Sequence, residues 1–184
     1  MYNEEGRRRI QDRLDAFLAD PGVTMVEIFH RAYGFVVRDE PGVPELSGWE
    51  KSEVLHYTAT LANLARRLKL AAAQANDLGQ TNLGLVLIRM QLHVEENAEL
   101  FQAIVEGDLP HVLQEISDVS FVTDGTYLTL GLQHYKPAAD MELLRANMSK
   151  LGPGGRPIVD ASGRSVKGPD FVPPDMARVL AKNQ

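Results

Sequence analysis

Residues 94–119 read VEENAELFQAIVEGDLPHVLQEISDV. Glu95, Glu96 and Glu99 stand in the first half, Glu115 and Asp118 in the second. Between them EGDLP, residues 106–110, reads as a break, with Asp108 as the N-cap of the next helix and Pro110 in its first turn. Both flanks have helical periodicity. At about 100° per residue, Leu85, Ile88, Leu92, Glu96, Glu99 and Ala103 fall in one arc, with Glu95 at its edge. Val86, Met90, Val94, Phe101 and Val105 line the opposite side. A helix over 83–105 is therefore expected to be apolar on two sides, as in a central bundle helix or one buried again at a subunit interface. Glu115 and Asp118 lie one turn apart on a second helix over 110–130, sharing an arc with Val112, Val119 and Val122.

Carboxylates on core-facing stripes need compensation. An unpaired buried carboxylate costs several kcal/mol, and like neighbours add repulsion. Protonating all five at neutral pH would demand very large shifts. Pairing could come from Arg66, Arg67, Lys69 or Arg89 on neighbouring helices. Divalent cations fit best. Acids at i and i+3 or i+4 on two facing helices can surround a hard cation with oxygen, which suits Mg²⁺ or Mn²⁺.

Outward from this pair, the chain reads as helical almost throughout, and Val, Ile and Thr form no alternating strand runs. Helices are expected over 4–19, ended by DPG at 20–22, and over 24–33, ended by Gly34. Residues 36–48 form a loop that Trp49 anchors, and a long helix covers 51–76, with a break over 76–82. A shorter helix covers 138–150. Residues 151–174 form a Gly- and Pro-rich arm, and a last short helix comes after Pro174. The expected fold class is all-α, in a single domain over 1–184, with an extension helix over 1–20 and a C-terminal arm over 151–184.

Composition narrows the function classes. The 184 residues carry a net charge of −6, which argues against a nucleic-acid polymer or an anionic membrane as partner. There is no cysteine, so thiolate metal sites, disulfides and cysteine nucleophiles are excluded. The first residues, MYNEEGRRRIQDRLD, are charged and lack a signal peptide's apolar segment. No uncharged run approaches a membrane span. The expectation is a soluble, cytoplasmic protein.

The acids have the form EExxE…ExxD, with Glu95-Glu96-x-x-Glu99 and then, after fifteen intervening residues, Glu115-x-x-Asp118. This resembles the signature of the all-α nucleoside triphosphate pyrophosphohydrolases: MazG-like proteins, dimeric dUTPases and phosphoribosyl-ATP pyrophosphatases. EIFHRAYG (27–34), EISDVSFVTDGTYLTLG (115–131), LLRANMSKLGPGGRP (143–157) and GRSVKGPDFVPPD (163–175) resemble a MazG-like branch. The likeness covers roughly 25–39 and 86–175. It departs from the branch at Val94, at Asp124 and in two extra residues within 131–140.

The resemblance implies a MazG-like four-helix core with extra N-terminal helices, assembled as a homodimer or homotetramer. It implies Mg²⁺-dependent hydrolysis of a nucleoside triphosphate to monophosphate and pyrophosphate, of the dUTP or dCTP pool-cleaning kind. Glu96, Glu99, Glu115 and Asp118 would ligate Mg²⁺, with Mn²⁺ as a substitute. Glu95, with Glu96, would serve the catalytic step by orienting water. Asn147 and Lys150, as Asn-x-x-Lys, would contact nucleotide or phosphate, and Lys167 and Arg145 would add positive charge. Phosphoribosyl-ATP hydrolysis is an alternative within this chemistry. A non-catalytic nucleotide-binding or interaction bundle is an alternative outside it. Phe29 and Tyr33 could stack on a base, but at helical spacing they read as core.

Overall fold

The computed structural model describes residues 20–181. Those residues form six α-helices, two short 3₁₀ turns and no extended strand. The helix expected over 4–19 lies outside the described residues. The chain divides into two compact units, Asp39–Gln133 and the pair of segments Met1–Arg38 and His134–Gln184.

The central unit, Asp39–Gln133, holds α2 (Gly48–Asp77), α3 (Thr81–Glu106) and α4 (Leu109–Thr129). A capping box starts α2. The Ser47 N–H donates to Glu50 Oε2 at 2.8 Å, and the Glu50 N–H donates to Ser47 Oγ at 3.3 Å. Satisfying two end donors moves the helix start ahead of the expected position 51. Trp49, expected to anchor the loop, instead lies exposed on the first helical turn.

α2 packs on α3, and α3 on α4. The α2 side of this seam buries Thr58, Ala65, Leu68, Ala72 and Ala75. The α3 side buries Gly84, Gln91, Ala98 and Val105, one residue every seven. A sustained seven-residue period is the pattern of helices packed along their length, and small side chains let the axes approach. Leu85 and Ile88, expected on the core stripe, are exposed. The buried seven-residue line of α3 runs through Gly84, Gln91, Ala98 and Val105, which leaves Leu85 and Ile88 on its flank. Ala103, from the same expected stripe, is fully buried.

Gly107, at φ 80°, closes α3 by donating its N–H to the Ala103 carbonyl at 3.0 Å. Only Gly107 and Asp108 separate α3 from α4. Asp108 occupies the N-cap position as expected, but its side chain makes no capping hydrogen bond.

In the other unit α1 (Pro21–Tyr33) packs on α5 (Lys136–Met148), and α5 on α6 (Met176–Ala181). The DPG segment opens α1: Asp20 Oδ1 accepts from the Val23 N–H at 3.0 Å, and Pro21 takes the first turn. Phe29, Tyr33 and Phe35 form a ring cluster, with the Phe29 and Tyr33 centroids 4.5 Å apart. Tyr33 is buried, as the core reading requires. Between α5 and α6 the arm carries two isolated bridges, Gly152 with Arg156 and Val159 with Ser165. No helix among the described residues is long and apolar enough to cross a membrane.

Candidate functional site

α3 and α4 run antiparallel in a constant register. Glu99 feels the charge of Glu115 most strongly among its acidic neighbours, and Glu96 feels Asp118 across the seam. Two turns along, the Arg89 guanidinium lies against Gly125, where a Cβ would come within 2.7 Å of Nη1. Glu96, Glu99 and Glu115 each bring a carboxylate oxygen within 4.8 Å of the others. Asp118 and Glu95 stand outside that closest trio, though their charges reach it.

Glu115 is only 3% exposed. Its Oε1 accepts from Gln114 Nε2 at 3.3 Å and faces His111 Nε2 at 3.2 Å. The other His111 nitrogen faces Glu106 Oε2 at 3.2 Å, so the ring bridges two carboxylates. Among the described residues Glu115 Oε2 is buried without a hydrogen-bond partner. Such an atom bears a desolvation cost.

The cluster's own chemistry comes from this crowding. Burial, and then the neighbouring carboxylates led by Glu99, raise the pKa of Glu96 above the ordinary carboxylate value. Glu99 is more exposed, yet desolvation and then the charge of Glu115 raise it too. Among the described residues no lysine or arginine lies within ion-pair distance of the five acids. Arg66 bonds to Asn63 instead. Pairing with Arg66, Arg67, Lys69 or Arg89, open from the sequence, is not how this cluster is balanced. Three hard oxygen donors with an orphaned buried oxygen fit a divalent cation by size and ligand type.

Glu95 is half-buried and accepts a hydrogen bond from the buried Gln91 amide. His93 Nε2 lies 2.8 Å from Thr126 Oγ1, and the Thr126 hydroxyl donates to the Val122 carbonyl, which leaves the imidazole as donor to the threonine. That bond holds His93 to α4 through a residue two turns from Asp118.

Glu99 also borders an open cleft of about 340 Å³ between α2 and α3. Leu55, Thr58, Ala59 and Ala62 form one wall, and Ala98, Glu99 and Gln102 the other. From the sequence, α2 offered only candidate counter-charges, and His111 and Gln102 had no role. The only sign was the run of small residues TATLA at 58–62.

The remaining candidates, Asn147, Lys150, Lys167 and Arg145, belong to the unit that holds α5 and the arm. Asn147 and Lys150 lie half-buried at the end of α5. The Lys150 carbonyl accepts from the Gly168 N–H at 3.1 Å. A side chain at Gly168 would come within 2.8 Å of that oxygen, so only glycine lets the arm lie so close. Lys167 Nζ sits 4.7 Å from the centre of the Phe171 ring. Arg145 is committed elsewhere: its guanidinium donates to both oxygens of Glu142 and to the Pro173 carbonyl.

Two Glu-x-x-His segments have the spacing used by di-iron bundles. Glu27 pairs with Arg31 and His30 faces the Val36 carbonyl, while Glu53 and His56 are both exposed. Glu53 and His56 do not join the carboxylate cluster, and Glu27 and His30 belong to the other unit. No protein-family model matches the chain, and no curated protein or solved structure proves significantly similar to it.

Proposed function

We propose that this chain is a Mg²⁺-dependent nucleoside triphosphate pyrophosphohydrolase on a MazG-like helical core, releasing a monophosphate and pyrophosphate. One observation carries the reading: Glu115, almost wholly buried, keeps one oxygen unpartnered beside Glu96 and Glu99. A fold that buries a charge normally completes its hydrogen bonds. A buried carboxylate with an unpartnered oxygen, close to two others, has the donor set that suits a divalent cation.

Glu96, Glu99, Glu115 and Asp118 would hold the ion. When bound, it supplies the positive charge that lets an acidic groove accept a triphosphate, and Lewis acidity toward phosphoryl oxygens. The other steps fall to the chain. Gln91 fixes the Glu95 carboxylate through one oxygen, Oε2, which leaves Oε1 to accept a proton from an attacking water. His111 holds Glu115 in place from the far side. Phosphate contacts by Asn147 and Lys150 rest on the family resemblance alone.

Self-association into a homodimer belongs to the same proposal. Leu85, Ile88, Phe121 and Leu128 are exposed on α3 and α4, and exposed large apolar side chains grouped on packed helices mark contact surfaces. Pool cleaning in the cytoplasm is the role that suits such an enzyme.

Pyrophosphate release measured over a panel of nucleoside triphosphates with Mg²⁺ tests the reading. Release with at least one substrate, lost in chelator and in Glu96→Gln, supports it. Full release by Glu96→Ala and Asp118→Ala, or none with any substrate, overturns it.

A further inference from the structure

The α2–α3 cleft is not needed to explain the acids, yet Glu99 lines both. We propose that this cleft receives the nucleobase, and that it selects a base carrying an exocyclic amino group over one carrying a carbonyl at that place, as cytosine over uracil. The proposal rests on the pyrophosphohydrolase reading and goes beyond it in naming the base site and its preference.

Position comes first. Glu99 shares the cluster with Glu96 and Glu115 on one side and borders the cleft on the other. A ligand whose phosphates are held at the acids has its remaining part beside this wall. Shape comes second. Leu55, Ala59, Ala62 and Ala98 give the cleft an apolar lining, and the small alanines keep it open where larger residues would fill it. A volume near 340 Å³ is room enough for a nucleobase.

Hydrogen-bonding capacity comes third. The Thr58 hydroxyl donates to the Leu55 carbonyl at 2.9 Å, so toward a ligand its oxygen is an acceptor. The Gln102 amide nitrogen donates to Glu106 Oε1 at 2.8 Å. Because a carboxylate there can only accept, that bond takes the amide nitrogen and leaves the carbonyl oxygen of Gln102, a residue of the cleft wall, as its ligand-binding end. Glu99 adds a third acceptor. A wall of acceptors is matched by a base edge with an amino donor, as in cytosine, and opposes one with a carbonyl at the same place, as in uracil or thymine. An unmatched polar pair in a confined slot is costly, so the discrimination is real and not a matter of fit alone.

The test is equilibrium binding by calorimetry in Mg²⁺, with three probes: non-hydrolysable imido analogues of dCTP and dUTP, and inorganic tripolyphosphate. Wild type is expected to bind the dCTP analogue about tenfold or more tightly than the dUTP analogue, and either more tightly than tripolyphosphate. Ala59→Phe fills the slot from an exposed position, and Ala62→Phe fills it from deeper should the first leave room. A filled slot should lower nucleotide affinity by roughly tenfold or more while tripolyphosphate binds as in wild type, with the helical circular dichroism unchanged. Gln102→Leu should narrow the preference for the amino base. If both filled, folded variants bind nucleotides as wild type does, or wild type prefers the uracil analogue, the base site is wrong although the phosphate site stands. If wild type binds none of the probes in a Mg²⁺-dependent way, the nucleotide reading falls and the base site with it.

Discussion

Two buried glutamates, one in each unit, have opposite surroundings. Glu142 on α5 is 5% exposed and Glu115 on α4 is 3% exposed. Both Glu142 oxygens are bonded: Arg145 grips them from one turn away, Arg178 donates from α6 at 2.7 Å, and the Asp175 N–H donates at 2.8 Å. These bonds, the Arg145 contact foremost, pull its pKa down to about 2. Glu115 has one weak amide contact, one histidine, two acids nearby and a bare oxygen. At equal depth, one carboxylate is finished by protein and the other is left unfinished. The finished one fastens the arm and α6 to α5. The unfinished one is the residue on which the proposed cation site rests.

That contrast can be broken in several ways. The largest expected effect is on turnover. Glu115→Gln keeps the shape but lowers the charge, and pyrophosphate release should fall by roughly 100-fold or more, the upper range for loss of a metal-site group. Metal-free thermal stability should not fall with it, because the change removes a repelling charge. A drop of Tm matching the loss of activity would make Glu115 a structural residue like Glu142.

Next in size is the response to the cation itself. Mg²⁺ at a hundredfold its dissociation constant should stabilise the native chain by about 2.7 kcal/mol, read as a rise in Tm that chelator reverses. Glu96→Gln should abolish that rise, and Glu142→Gln should leave it intact.

Glu142→Gln should instead lower Tm in chelator and Mg²⁺ alike. It strands two guanidinium groups and unfastens residues 173–178, so limited proteolysis should begin in the arm. An unchanged cleavage pattern would show that the arm is held by other contacts, such as Ser149 with the Val172 N–H and carbonyl.

The smallest effect is the pH dependence, and the two glutamates differ in its sign. Glu96 and Glu99 have raised pKa values, so the metal-free fold binds protons more tightly than the unfolded chain. Their contribution is fully present below about 4.5 and is lost as pH rises through the raised values. Glu142 has a lowered pKa, so its contribution is present above 4.5 and is lost as pH falls toward about 2. Metal-free Tm should therefore rise modestly on acidification from neutrality toward pH 5, and Glu96→Gln with Glu99→Gln should flatten that rise. The decline toward pH 2 should weaken in Glu142→Gln.

Sequence reading reached the acid pair of helices because its signal is local. Residues three and four apart must share a face, and Gly107 with Pro110 marks the break between the two faces. The Glu142 cluster was not legible: Arg145 is one turn away, but Asp175 and Arg178 lie 33 and 36 residues on, and nothing in their spacing links them to Glu142. His111 escaped for a different reason. It sits on the first turn after the break, where a histidine usually faces water, and only the fold shows it between Glu106 and Glu115. The start of α2 was misplaced although Ser47 and Glu50 carry the capping pattern, because Gly48 and Trp49 read as loop residues. The buried heptad Gly84, Gln91, Ala98 and Val105 on α3 was outweighed by Leu85 and Ile88, which hydrophobicity ranks above glycine, glutamine and alanine.

The two-residue connection between α3 and α4 has an evolutionary consequence. Glu115 and Asp118 are carried rigidly on α4, so one residue added inside that helix ahead of Glu115 would swing both acids about 100° off the seam together. Natural variants should thus differ in the distance between the two halves of the motif by whole helical turns added to both helices, three, four or seven residues on each side. Single-residue indels there should be purged, while the loop before Ser47 drifts freely in length.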